Sequence, residues 1–282
     1  MSTPSALHSS ASPLVSVLMP AHNAGQFIDA AIASILEQSY TNLELVVLDD
    51  GSQDDSAARA AAWAARDSRV RALGNGGNYG GADTRNRLFR LANPESQYFA
   101  LMDSDDISMP DRIAHQVAFL AANSEHGLIG GHTLIIDDRD RVIGLRRYPT
   151  THEGIVKVIA RFNPIAHPTV MLRRSVVEEI GQYDTSLTCI EDYDLWIRVA
   201  LAYKVANLDE VVLRYRISPN QVKQKHLRRS IRETIDLQRK WLFHPRLRSP
   251  FNIAYWCAEH VLLGLPESWV LALFKRMTYT KA

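Results

Sequence analysis

The sequence predicts an α/β protein with a mostly parallel central sheet flanked by helices. Two observations predict it. Strand-like and helix-like segments alternate through the first third of the chain, and a polar cluster directly follows three of the strand-like runs. Open parallel sheets bind ligands beyond the carboxyl ends of their strands, so the second observation also says where a site lies.

The elements follow in order. Val15 to Met19 is a short apolar run ending at Pro20, as a buried strand does. Gln26 to Gln38 sets Phe27, Ile28, Ala31, Ile32, Ile35 and Leu36 on one helical face. Leu43 to Leu48 is again strand-like and runs into Asp49-Asp50-Gly51-Ser52. An alanine-rich helix is expected from about Asp54 to Ala65, and a weaker strand over Val70 to Leu73. A glycine-rich loop, Gly74 to Gly81, precedes a helix from Ala82 to Leu91. Tyr98 to Met102 is a strand ending on Asp103-Ser104-Asp105-Asp106. The second half is more mixed. Leu128 to Asp137 and Val142 to Leu145 flank a turn and predict a hairpin. Strands are expected at Thr169 to Leu172 and Val211 to Tyr215, with a helix over Glu191 to Ala202 between them. A basic helix is expected from Gln221 to about Leu242.

The chain has 282 residues, 46% hydrophobic and 22% charged, as in an ordinary globular protein. Met1 to Ser12 is rich in Ser, Ala, Thr and Pro and predicts a loose tail rather than a signal peptide. No run is long and apolar enough for a membrane span. Two isolated cysteines, Cys189 and Cys257, form no disulfide framework and predict a reducing, cytoplasmic setting. Net charge is +1 but uneven. From Lys223 onward 12 Lys/Arg stand against 4 Asp/Glu, while the preceding part carries 20 and 27. An acidic body suits cation binding, and a basic tail suits an anionic surface; nucleic acid is not an expected partner.

Four clusters carry chemistry. Asp103-Ser104-Asp105-Asp106 places three carboxylates within four residues after a buried strand. Hard oxygen ligands suit Mg²⁺ or Mn²⁺, which also take substrate phosphate oxygens and water; the bland alternative is a polar turn capping a helix. Asp49-Asp50-Gly51-Ser52 predicts a tight turn into a helix start, with exposed amides able to meet a base, ribose or phosphate. Gly76 to Gly81 lets backbone approach a ligand closely. It is no dinucleotide fingerprint, because Tyr79 stands where glycine is required. Glu191-Asp192 opens a helix in Glu-Asp-Tyr-Asp-Leu-Trp, as either an acidic first turn or a general base on a rigid element. His167 before Pro168 is equally suited to a structural role.

Taken together these residues resemble a known family. Val15 to Asn23, Asp49 to Ser52, Gly80 through Arg85-Asn86, Asp103 to Asp106, His167-Pro168-Thr169 and Glu191 to Trp196 occur in the order of the family 2 inverting glycosyltransferases of the GT-A fold. That group includes bacterial polysaccharide and lipopolysaccharide transferases. One departure is His22, where a tyrosine or similar residue is more usual. The resemblance implies that Pro20, Ala21 and Asn23 line a nucleotide pocket, with Asp49 or Asp50 at the base. It implies Arg85 near the diphosphate, Asp103 and Ser104 near the ribose or metal, Asp105 on the metal, and Asp192 as catalytic base. The implied donor is a nucleotide-diphospho-sugar and the implied acceptor a carbohydrate or lipid-linked saccharide.

The expected division is a tail at 1–12, a GT-A catalytic domain at 13–217 (nucleotide-binding half 13–110, acceptor half 111–217), and a basic, aromatic helical extension at 218–282. Basic residues from Lys223 to Arg248, followed by Phe251, Tyr255, Trp256, Leu262, Leu263, Trp269 and Phe274, predict peripheral contact with the inner face of the cytoplasmic membrane. Packing on the body, or on a second subunit as a homodimer, is the alternative. Two other functions compete: a non-catalytic nucleotide-sugar-binding protein of the same fold, and a nucleotidyltransferase. The latter would want a glycine-rich, lysine-containing loop near the N-terminus, which the sequence lacks.

Overall fold

The structure is a computed structural model that describes residues 12–217, 227–270 and 273. Residues 1–11 of the expected tail at 1–12, and Lys223, Lys225 and Phe274, lie outside the described residues.

The first half alternates as expected: β1 (Val15–Ala21), α1 (Ile28–Leu36), β2 (Leu43–Asp49), α2 (Ser56–Ala64), β3 (Val70–Gly74), α3 (Gly81–Leu91) and β4 (Tyr98–Leu101). Then follow β5 (Ile107–Ser108), α4 (Arg112–Ala122), β6 (His126–Ile136), β7 (Val142–Arg146), α5 (His152–Ile159), a 3₁₀ turn at His167–Thr169, β8 (Met171–Arg173), α6 (Arg174–Ile180), α7 (Glu191–Ala202) and β9 (Lys204–Arg216). The extension supplies α8 (Leu227–Trp241), α9 (Pro250–Glu259) and a 3₁₀ segment at His260–Gly264.

One nine-stranded sheet runs in the order β3-β2-β1-β4-β8-β6-β9-β5, with β7 paired to β6. The first four strands are mutually parallel. β8 turns antiparallel to both β4 and β6, and β6 is parallel to β9. Parallel pairing buries both faces of a strand, which is why β1 and β2 read as unbroken apolar runs. Their side chains split by the period of two. Val15, Val17, Met19, Leu45 and Val47 pack with α1, Ala60 of α2 and Ile113 of α4. Leu18, Val46 and Leu48 pack with Leu88, Phe89, Trp196 and Val199 on the other face.

The structure extends several expectations. The strand foreseen at Val211 to Tyr215 begins at Lys204, and the one foreseen at Thr169 begins at Met171, after a 3₁₀ turn. Helices α4, α5 and α6 and strand β5 come in addition. The extension is not free of the body: Leu237 and Leu247 lie in the main core, and Gln238 donates to the Arg161 carbonyl at 2.8 Å. No described helix is long and apolar enough to cross a membrane.

Candidate active site

Parallel register brings the carboxyl ends of β1, β2 and β4 to one edge, with Ala21 opposite Asp49. Ala21 is buried and its carbonyl accepts from Asp50 N at 2.8 Å, while Pro20 is half-buried beside it. Asn23 adopts a left-handed conformation (φ 51°), and its Oδ1 accepts from Gln53 N at 2.8 Å. His22 Nδ1–H donates to the Asp50 carbonyl at 2.9 Å, leaving Nε2 to accept from the Asn23 amide at 3.0 Å. The residue that departs from the family pattern thus helps shape the turn.

The acidic pair after β2 divides its work. Asp50 is buried, and its Oδ1 accepts from Asn75 Nδ2 at 2.6 Å and Tyr79 N at 3.0 Å. Its Oδ2 accepts from Gly80 N at 3.0 Å, so this carboxylate ties down the glycine-rich loop. Asp49 Oδ2 accepts from Ser52 N at 3.1 Å, whereas its Oδ1 has no hydrogen-bond partner. Gly51 allows the loop to close in: φ is +74°, and a Cβ there would stand 2.9 Å from Gly77 C and Asn78 N.

The cluster after β4 alternates. Asp103 and Asp105 are partly exposed, while Ser104 and Asp106 point inward. Asp106 Oδ1 accepts from Arg216 N at 2.8 Å, and Arg216 Nε donates to the Asp105 carbonyl at 2.7 Å. The buried Arg216 guanidinium also pairs with Asp140 at 2.6 Å, so the end of β9 pins the acidic turn. Burial, then the charges of Asp105 and Asp103, raise the Asp106 carboxyl well above its ordinary range, against the pull of the Arg216 amide and charge. Arg112 lies behind the turn, bonded to the Leu101 carbonyl at 2.8 Å; burial pushes it down to about 9, opposed by Asp106 and Asp103.

Arg85 joins the two halves of the site. Its Nη1 lies 2.6 Å from Glu191 Oε1 and its Nη2 3.6 Å from Asp103 Oδ1. Burial lowers the guanidinium's proton affinity, but Glu191, Asp103 and further acidic neighbours overcome that and raise it above its ordinary value. Gly81 makes the contact feasible, since a Cβ would fall 2.7 Å from Arg85 Nη1. Next in chain, Glu191 and Asp192 begin α7, both nearly buried. Asp192 Oδ2 accepts from Asn163 Nδ2 at 3.1 Å and Oδ1 from Tyr193 N at 2.8 Å. His167, which the sequence left undecided, lies beside the same network: Nδ1 is 3.7 Å from Asp103 Oδ1 and Nε2 is 3.0 Å from Tyr183 Oη. Asn86 instead clamps the Tyr183 backbone, accepting from its N–H at 3.0 Å and donating to its carbonyl at 2.9 Å.

Among the described residues, no three His, Cys, Asp or Glu side chains are grouped to hold a metal by themselves. Asp106 is turned inward. Two accessible carboxylates, Asp103 and Asp105, remain at the edge. That donor set fits a small hard cation such as Mg²⁺ or Mn²⁺ that takes its other ligands from substrate phosphates and water, and does not fit an all-protein cage.

Residues 16–181 match the family described as Glycosyl transferase family 2. A glycosyltransferase of Haemophilus influenzae is 33% identical over 74% of this chain and 67% of its own length. The Escherichia coli protein named UDP-Glc:alpha-D-GlcNAc-diphosphoundecaprenol beta-1,3-glucosyltransferase WfgD is 26% identical over 90% of this chain and 94% of its own. Two solved structures share the architecture. TarS of Staphylococcus aureus superposes with a TM-score of 0.62 at 18% identity, over 87% of this chain but 43% of TarS. The mannosyltransferase PcManGT of Pyrobaculum calidifontis, solved with GDP-Man and Mn²⁺, gives 0.61 at 19% identity over 95% of this chain and 81% of its own. The fold is GT-A, as the motif order implied.

Proposed function

The chain belongs to glycosyl transferase family 2, and from that premise we propose that it moves a sugar from a nucleotide-diphospho-sugar to an acceptor hydroxyl with inversion, in bacterial cell-surface glycan synthesis. The observation that carries this reading is the Arg85 bridge. One guanidinium contacts Asp103, at the end of the nucleotide-side sheet, and Glu191, next to Asp192. In this reading it holds the donor side and the base side relative to each other.

In this reading the nucleotide lies over the β1 and β2 ends, against Pro20, Ala21, Asn23 and Asp49. Asp50 acts from behind by holding the Tyr79–Gly80 backbone. Asp103 faces the ribose and Arg85 the diphosphate, while Ser104, expected beside Asp103, has its side chain turned inward and offers its backbone only. Asp105 and Asp103 are the residues that would hold Mg²⁺ or Mn²⁺; such a cation supplies charge neutralisation to the departing diphosphate. Asp192 takes the acceptor proton while its carboxylate is held by Asn163 and the Tyr193 amide. Its position at the start of α7 keeps it on a rigid element. Displacement on the face opposite the leaving group turns an α-linked donor into a β-linked product. A lipid-linked saccharide, the acceptor class in the WfgD name, is the acceptor this reading favours.

The test is transfer itself. UDP- and GDP-sugars are incubated with the full chain and a panel of saccharide and lipid-diphosphate saccharide acceptors, with Mn²⁺ or with chelator. Metal-dependent formation of a β-linked product is expected. Tight donor binding with neither transfer nor donor hydrolysis on any acceptor would leave the binding-protein alternative standing instead.

A further inference from the structure

Helix α9 has the wrong outer face for a helix on a water-exposed surface. Asn252 is buried and Trp256 is half-buried, its indole donating to the Ile235 carbonyl at 3.0 Å; these residues mark the side that packs on α8. The opposite side is exposed and consists of Phe251, Ala254, Cys257 and Ala258, continuing to Val261. Those positions recur at helical spacing and include no charge, whereas a solvent-facing stripe is normally polar. Phe251 and Val261 are 65% and 63% exposed, and Trp269 beyond them is 67% exposed.

The patch reaches toward the site. Arg161 stacks over Phe251 with its guanidinium carbon 4.9 Å from the ring centroid. The next residue, Phe162, is itself exposed, and the one after it, Asn163, holds Asp192. The surroundings are basic: Arg246 and Arg248 stand exposed just before α9. Pairing this face with its own copy would set the two basic rims together. An apolar stripe rimmed by cations suits instead an interface that is apolar within and anionic at its surface.

We propose that the outer face of α9 (Phe251, Ala254, Cys257 and Ala258), with Val261 of the following 3₁₀ segment and Phe162, docks on an anionic lipid bilayer and turns the Asp192 side of the site toward it. The consequence for acceptor delivery rests on the transferase reading; the docking does not.

Cys257 gives a direct probe, because it is exposed while Cys189 is buried. The full chain, labelled at Cys257 with a polarity-sensitive dye, is mixed with vesicles of phosphatidylcholine, or of phosphatidylcholine with about one third phosphatidylglycerol. A blue shift and co-sedimentation are expected with the anionic vesicles at low salt, fading at about 0.5 M salt, where screening acts within a few ångströms. On unlabelled protein, Phe251→Ser with Val261→Ser should weaken vesicle binding at least about tenfold. Val142→Ser with Ile143→Ser removes exposed apolar side chains of the β7 hairpin and should leave it unchanged. Absence of binding to anionic vesicles at low salt overturns the proposal. So does binding that survives the α9 substitutions, or a concentration-dependent dimer lost in the same variants without vesicle binding. Transfer to a water-soluble acceptor, measured without vesicles, reports separately on the transferase reading.

Discussion

The two acidic strand ends flank β1 and look alike in the sequence, yet the fold uses them differently. After β2, Asp50 gives both oxygens to three donors of the protein itself. After β4, Asp103 and Asp105 stay accessible while Asp106 turns inward to the Arg216 amide. A carboxylate taken up by a side-chain amide and two backbone donors stabilises a loop. In the proposed reading, one left at the rim serves a ligand instead. Aspartates adjacent in sequence are therefore buried or exposed according to which way the chain turns them.

That contrast can be broken by substitution. Of the changes at these two strand ends, the larger loss of turnover is expected at the open one: Asp105→Asn should lower it about 10²–10³-fold by removing charge stabilisation of the leaving group. Its melting temperature should stay within a few degrees of the wild type, as calorimetry checks. The closed end should behave inversely. Asp50→Ala strands the Tyr79 and Gly80 amides and the Asn75 side chain, at about 2–4 kcal/mol. Thermal unfolding should show a fall of roughly 5–10 °C. Between the two ends, Arg85→Lys keeps the charge but loses the fork that spans Asp103 and Glu191. Donor KM should rise about tenfold with little change in melting temperature.

A smaller effect comes from a partly buried carboxylate of the extension, Glu259. Burial raises it to about 7, against the opposing influences of Gln238 and His260. Its folded value lies above the unfolded 4.5, so the folded protein holds this proton longer. Stability from this group is full below about 4.5, declines as pH rises toward 7 and is level beyond. Glu259→Gln, which resembles the protonated form, should match the wild type near pH 4.5. It should melt a few degrees higher at pH 8. Parallel melting curves from pH 4.5 to 8 check this.

Much of this site was legible locally. An apolar run stopping at an aspartate marks a strand end, and α7 begins at the residue its acidic first turn indicated. The inward and outward turns of Asp103 to Asp106 follow a two-residue alternation that could have been read from the cluster itself. What the sequence did not disclose are the pairings between distant elements. Arg85 with Glu191, Asp103 near His167, and Arg216 behind Asp105 join segments whose proximity depends on the whole sheet order. No local period encodes such contacts. Helices α5 and α6 are short segments of 8 and 7 residues, whereas α4 carries a helical period at Ile113, Val117 and Leu120 that was there to be read. The extension was foreseen as helical and basic; that α8 enters the core through Leu237 needed the tertiary structure.

The central claim is that Asp192, held beside the Arg85 bridge, removes the acceptor proton. The most direct measurement is turnover and melting temperature of Asp192→Asn on one preparation, alongside donor affinity. Asparagine keeps the size of the side chain but accepts a proton poorly. The account predicts turnover down by about 10²–10⁴-fold, with donor binding and melting temperature nearly unchanged. Near-normal transfer by a well-folded Asp192→Asn protein would contradict it.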